Sequence, residues 1–297
     1  MPNNDILVFD TKRLNQQRER AQSKLTDHGF LIDWSRDQLL SRLDIIRREF
    51  ETVLQLGNRT ALDKTKIKGL QTLDISDTIL PIHHNEDFIL CDQEWLPFDK
   101  DRYDLIISPL HLHTINDLPG ALTQLKNALK ADGLFLSAIL GGETLYELRD
   151  VMSRAEIEVT GGMSPRVAPF ADMPQMGSLM QRAGFNLPVV DSEIVTVTYD
   201  HLFKLMHDLR YMGEGNALIE RSKSFNNRKL MMRSAELYQE LYAEEDGRLK
   251  ATFEIIFLIG WKPHESQQKP LRPGSAKNRL ADALNTTEIS ADDKASH

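Results

Sequence analysis

A single cysteine, Cys91, in 297 residues leaves no partner for an internal disulfide and no thiol cluster for zinc. The chain therefore reads as one kept in a reducing compartment, with the cytoplasm as the expected place. Long apolar runs are also missing: nothing approaches the roughly 20 residues that cross a bilayer. The opening MPNNDILVFD lacks the basic-then-apolar layout of a leader. A peripheral position at an inner-membrane complex needs only a docking surface and is compatible with both absences. Positive charge is in deficit, with a net charge of -8, which argues against sequence-independent nucleic-acid binding driven by phosphate neutralisation. No P-loop, no Ser-His-Asp or Cys-His spacing and no internal repeat is present.

What is present is an alternation of helical and extended patterns. Thr11 to Leu25 is polar, with only Leu14, Ala21 and Leu25 as an apolar stripe, and reads as a surface arm. Leu39, Leu43, Ile46 and Phe50 recur at helical spacing behind Asp33 and Ser35 as caps. Short apolar runs follow at Val53 to Leu56, Gly69 to Leu73, Phe88 to Cys91, Tyr103 to Ile107 and Gly133 to Leu140. Between the last two, Leu118, Leu122, Leu125 and Leu129 line one helix face that Asp132-Gly133 terminates. Strands alternating with helices predict an α/β fold with a parallel sheet covered on both faces. Later, Val189 to Tyr199 and Ala251 to Trp261 predict two antiparallel edge strands separated by a helical insertion. The expected organisation is a helical arm over 1–50, a domain over 51–263 with lid insertions at about 141–173 and 200–247, and a disordered tail over 264–297.

Ligands of open parallel sheets bind beyond the carboxyl ends of the strands, where strand order reverses. The residues at those ends are Gly57, then Asp74 and Ile75, then Asp92 and Gln93, then Ser108. An acid after the second strand suits ribose hydroxyls and one after the third suits an adenine amino group; both also read as ordinary loop acids or caps. His111 and His113 flank Leu112 with Asp117 nearby, a spacing that a metal accepts.

VLQLG at Val53, LDIS at Leu73, LCDQEWLPF at Leu90 and YDLIIS at Tyr103 look like successive strand motifs of class I S-adenosylmethionine-dependent methyltransferases. More specific are GGETLYELR from Gly141, SPRVAPF from Ser164, DLRYMGEGN from Asp208 and ATFEIIFLIGWKP from Ala251. Together, from about Phe9 to Pro263, they resemble the methyltransferase-like family of mitochondrial complex I assembly factor 5 and its bacterial relatives. That family is in turn similar to the malonyl-carrier-protein methyltransferase of biotin synthesis.

The resemblance implies a Rossmann-like seven-stranded class I methyltransferase sheet with S-adenosylmethionine at its switch point, Gly57 against the cofactor, Asp74 on the ribose and Asp92 with Gln93 at the adenine. It implies no metal, since His113 matches a family position that needs none. Two departures stand out: Gln55 replaces an acid in the first strand motif, and Asn58-Arg59-Thr60 replaces the glycine-rich turn. Gly57 to Asp74 is also short, which trims the first helix of the site. Arg149 and Arg166 are candidates for an anionic or peptide substrate under the lid, and Tyr211 a weaker one. The functions implied are methyl transfer to a carboxyl or protein acceptor, or assembly of respiratory NADH dehydrogenase as an arginine hydroxylase or a non-catalytic pseudoenzyme. The partners implied are a subunit of that complex or an acyl carrier protein.

Overall fold

The computed structural model describes residues 7–81, 88–223 and 227–268. The chain falls into two units, Met1–His264 and Glu265–His297; the architecture is that of the first. The expected tail lies outside the described residues beyond 268.

Seven strands form one sheet: Thr52–Leu56 (β1), Thr72–Asp77 (β2), Phe88–Leu90 (β3), Tyr103–Pro109 (β4), Leu129–Leu140 (β5), Asn186–Tyr199 (β6) and Leu249–Trp261 (β7). Their order is β3-β2-β1-β4-β5-β7-β6. The first five are parallel, and β7 runs antiparallel between β5 and β6. Strand order reverses between β1 and β4, which places a crevice beyond Leu56 and Pro109.

Alternate side chains of the central strands feed two cores, as a sheet buried on both faces requires. Val53, Leu105, Ile107, Leu134 and Leu136 pack beneath Phe30–Asp44 (α3), Tyr146–Thr160 (α5), Leu202–Met212 (α7) and Arg228–Tyr242 (α8). Leu54, Leu56, Ile106 and Phe135 face Leu118–Ala128 (α4) and Met173–Arg182 (α6). The remaining helices, Thr11–Ala21 (α1) and Leu25–His28 (α2), precede α3.

Several sequence expectations are corrected. The segment over Thr11 to Leu25 is not a surface arm: Leu14, Arg18 and Ala21 of α1 are buried. It is also pinned, because Asn116 Oδ1 accepts from the amides of Val8 (2.9 Å) and Phe9 (2.8 Å). Helix α3 begins at Phe30 after Gly29 and stops at Asp44, so Ile46 and Phe50 lie beyond it. Helix α4 ends at Ala128, because Leu129 already pairs with Tyr103 at the start of β5. The second strand is Thr72–Asp77, not Gly69 to Leu73: Gly69 sits at φ +79° in a turn, and pairing with β1 runs from Thr72 to Ser76. Between β1 and β2 the described chain makes only a 3-10 turn, Lys64–Lys66.

Candidate functional site

The turn after β1 is held closed by its own unusual residues. Buried Gln55 donates from Nε2 to the carbonyls of Gly57 (2.7 Å) and Thr60 (2.6 Å). Gly57 stands at φ +87°, and a Cβ there would lie 2.7 Å from His111 Nδ1, so position and contact both demand glycine. Arg59 turns inward, donating to the carbonyls of Leu110 and Met212 and pairing with the carboxylate of Glu214. Glu214 also receives His113 Nε2 at 3.0 Å.

The lengthened β2 changes which acid stands at the strand end. Asp74 is inside the strand, accepting from Tyr103 Oη (2.7 Å) and Arg102 (2.6 Å), away from the turn. Ile75 packs against the core under α3. Asp77 ends the strand, is 1% exposed, and accepts from the amides of Asn58 (2.9 Å) and Thr78 (2.6 Å). Beyond β3, Asp92 is exposed and caps its own turn through the amide of Glu94, while Gln93 is buried. Gln93 Nε2 lies 2.6 Å from His111 Nε2. With the amide donating, His111 Nε2 accepts, and the proton on Nδ1 faces Gly57 without a partner among the described residues. Ser108 is fully buried in β4, its hydroxyl without a partner among the described residues. His111 follows Leu110, a non-glycine residue at φ +46°, and its ring is directed at the turn while that of His113 goes to Glu214. The two histidines thus do not share a ligand position.

Burial and charge act against each other here. Burial pushes His111 down to about 3, so it is neutral at ordinary pH. Burial raises Asp77 and Glu214, but neighbouring charges outweigh it. Arg18 and two amides hold Asp77 below its usual value, and Arg59 with the hydrogen bond from His113 holds Glu214 well below the carboxylate range. Arg18 is fully buried, donates to Thr114 Oγ1 (3.0 Å) and is pushed down to about 10 by burial and by Arg59.

Two cavities flank this network. The inner one, lined by Ser76, Asp77, Gln93 and His111, measures about 10 Å3, room for one water. The outer cleft, about 970 Å3, has a floor of Leu148, Met152, Phe170 and Met206. Arg13, Arg20 and Arg210 line it and have no ion-pair partner among the described residues. Thr114 and Glu214 line the cleft and also hold Arg18 and Arg59, so they form the partition between the outer cleft and the inner network. Of the lid candidates, Arg166 lines the cleft but is paired with Glu156 (2.5 Å). Arg149 caps the turn before α5 through the carbonyl of Thr144 (3.1 Å), and Tyr211 packs on His28 and His207; neither lines the cleft.

Sequence reasoning missed Asp77, Glu214 and Arg18. The alternation of Leu73 and Ile75 continues to Asp77, and Arg18 occupies the helical face of Leu14 and Ala21, so both carried a readable signal. Glu214 carried none, because it meets Arg59 from 155 residues away.

A family model described as a methyltransferase domain matches residues 60–137. The zebrafish (Danio rerio) mitochondrial arginine-hydroxylase NDUFAF5 is 38% identical over 96% of this chain and 92% of its own length. The malonyl-[acyl-carrier protein] O-methyltransferase of Xylella fastidiosa is 36% identical over 86% of this chain and 89% of its own. Among solved structures, BH2331, a candidate methyltransferase of Bacillus halodurans, superposes with a TM-score of 0.51 at 16% identity, covering 76% of this chain and 97% of that one. With the seven-stranded order and the turn after β1 in place, the chain belongs to the class I methyltransferase-like family that includes arginine-hydroxylase NDUFAF5 and malonyl-[acyl-carrier protein] O-methyltransferase.

Proposed function

We propose that this chain binds S-adenosylmethionine beyond β1, β2 and β4 and transfers its methyl group to a carboxyl acceptor presented in the outer cleft by a protein partner. The observation that carries this reading is buried Asp77, placed at the end of β2 against the Gly57 turn. Its carboxylate keeps acceptor capacity beyond that used by two amides and the Thr78 hydroxyl, enough for a ribose hydroxyl. Gly57 allows the close backbone approach a nucleoside cofactor needs, and Gln93 borders the adenine. These groups therefore fit the cofactor, whereas the present cavity of about 10 Å3 does not, since ligand pockets run to roughly 300 Å3 or more. Parting of His111 from Gln93 is what would make room.

The cofactor supplies an electrophilic sulfonium methyl. The residues of this chain orient the acceptor and exclude water, which accounts for much of such an acceleration. The guanidiniums of Arg13, Arg20 and Arg210, without an ion-pair partner among the described residues, favour an anionic acceptor. The Xylella relative is named a malonyl-[acyl-carrier protein] O-methyltransferase, and a malonyl carboxylate is an acceptor of that kind. Its place of action is the cytoplasm, docked at the periphery of the inner membrane where the partner demands it.

A second reading is supported by Gln55, Arg59 and His111, which fill the cofactor turn. In it the chain binds a subunit of respiratory NADH dehydrogenase, as an assembly factor in the manner of the NDUFAF5 relatives, without methyl transfer. Calorimetry with S-adenosylmethionine and S-adenosylhomocysteine separates the two. Saturable binding, weakened at least about tenfold by Asp77→Asn and strengthened by His111→Gly, is the expected result. A folded chain that binds neither ligand at millimolar concentration overturns the transferase reading and leaves the second.

A further inference from the structure

Tyr211 and the histidines around it form a cluster that the methyl-transfer reading does not use. His28 ends α2; His207 and Asp208 are neighbours on α7. His28 Nδ1 lies 2.7 Å from Asp208 Oδ1. One ligand atom from each of His28, His207 and Asp208 falls within 4.8 Å of the others, and no other group of three His, Cys, Asp or Glu converges in this way among the described residues. Tyr211 walls one side, its ring centroid 4.1 Å from that of His207 and 4.8 Å from that of His28. Asp208 has no lysine or arginine partner among the described residues; the His28 imidazole and the Tyr199 hydroxyl are what face its half-buried charge.

We infer that His28, His207 and Asp208 form a binding site for one divalent transition-metal ion that ties α2 to α7. Two imidazoles and a carboxylate with open positions suit zinc, and equally iron(II) or cobalt(II). Ligand arms of about 2.0–2.1 Å put tetrahedral donors roughly 3.3 Å apart. The 4.8 Å spread closes when the exposed His207 ring rotates on its edge-to-face contact with Tyr211 and the 2.7 Å His28–Asp208 hydrogen bond opens to admit the ion. The same exposure gives the ion its entry path. Bound there, the ion also fixes a wall of the outer cleft, because Met206 and Arg210 of α7 line that cleft.

The test uses the full untagged chain, stripped with chelator and titrated with cobalt(II) while its visible absorption is followed, then with zinc and with iron(II) under anaerobic conditions as competitors. One cobalt per chain is expected, with affinity reduced at least about tenfold in His207→Ala and in Asp208→Asn. The ion that displaces cobalt most tightly identifies the resident class. Zinc should raise the Tm of the parent chain and leave that of His207→Ala unmoved. His207 is exposed, so this variant keeps its fold; a circular dichroism spectrum matching the parent confirms it. Absence of cobalt binding, or parent-like binding by folded His207→Ala, overturns the site.

Discussion

Asp74 and Asp77 sit three residues apart on one strand and hold different things. Asp74 fastens Tyr103 and Arg102, and its hydrogen bond, after burial, raises the Tyr103 hydroxyl above its ordinary value. Asp77 fastens the turn after β1. Asp74→Ala should therefore cost about 1–3 kcal/mol in urea unfolding and leave S-adenosylmethionine affinity within about twofold, whereas Asp77→Asn lowers that affinity. Equal loss of affinity in both variants would return the ribose role to Asp74. His111 gives a pH signature. Its folded pKa is depressed from the ordinary 6.5 to about 3, so unfolded chains bind the extra proton first. The stability associated with it is fully present above pH 6.5 and is lost as pH falls toward 3. His111→Gln should flatten the acid limb by up to about 1.4 kcal/mol per pH unit in that window, measured by denaturant unfolding across pH 6.5 to 3.5.

At the scale of elements, the loop between α5 and α6 hangs on one side chain. Glu156, near the end of α5, accepts from the amide (2.9 Å) and hydroxyl (2.9 Å) of Ser164 and pairs with Arg166. Arg166 is the largest cause that holds Glu156 down to about 2 against the lifting effect of burial. Because the folded pKa is lowered from 4.5, the clamp contributes above pH 4.5 and weakens as pH falls through about 2. Glu156→Gln should cost about 2 kcal/mol and speed amide exchange over residues 161–172; unchanged exchange there would mean the loop is held by Val167 and Phe170 instead. Elements of this kind were legible in the sequence where apolar spacing defines them: all seven strands and the α4 face at Leu122 and Leu125 carry such spacing. Boundaries set by backbone pairing were not. β2 ends in Ser76 and Asp77, whose polarity hides a strand that pairing with β1 extends, and the sequence reading therefore ended the strand at Leu73 and took Asp74 as the acid after it. The network around Arg59 was legible only as a departure from the family pattern, since its partners Leu110, Met212 and Glu214 meet it only in the folded chain.

Across the whole molecule, a chain of net charge -8 gathers Arg13, Arg20 and Arg210 around one cleft. An acidic partner is repelled by the molecule at long range and attracted only near that cleft, where apolar walls focus the field. The consequence is orientational: approach from other faces is disfavoured and the cleft face is selected. Association with an acidic carrier protein should accordingly slow as salt rises, since exposed charges more than about 8 Å apart are screened at physiological ionic strength. The double variant Arg20→Gln/Arg210→Gln changes exposed side chains and should lower the association rate by about tenfold at low salt with little change in dissociation. Surface plasmon resonance over a salt series measures both rates. If the variant and the parent associate equally fast at low salt, the cleft does not steer its partner, and the apolar floor of Leu148, Met152 and Phe170 becomes the part that selects it.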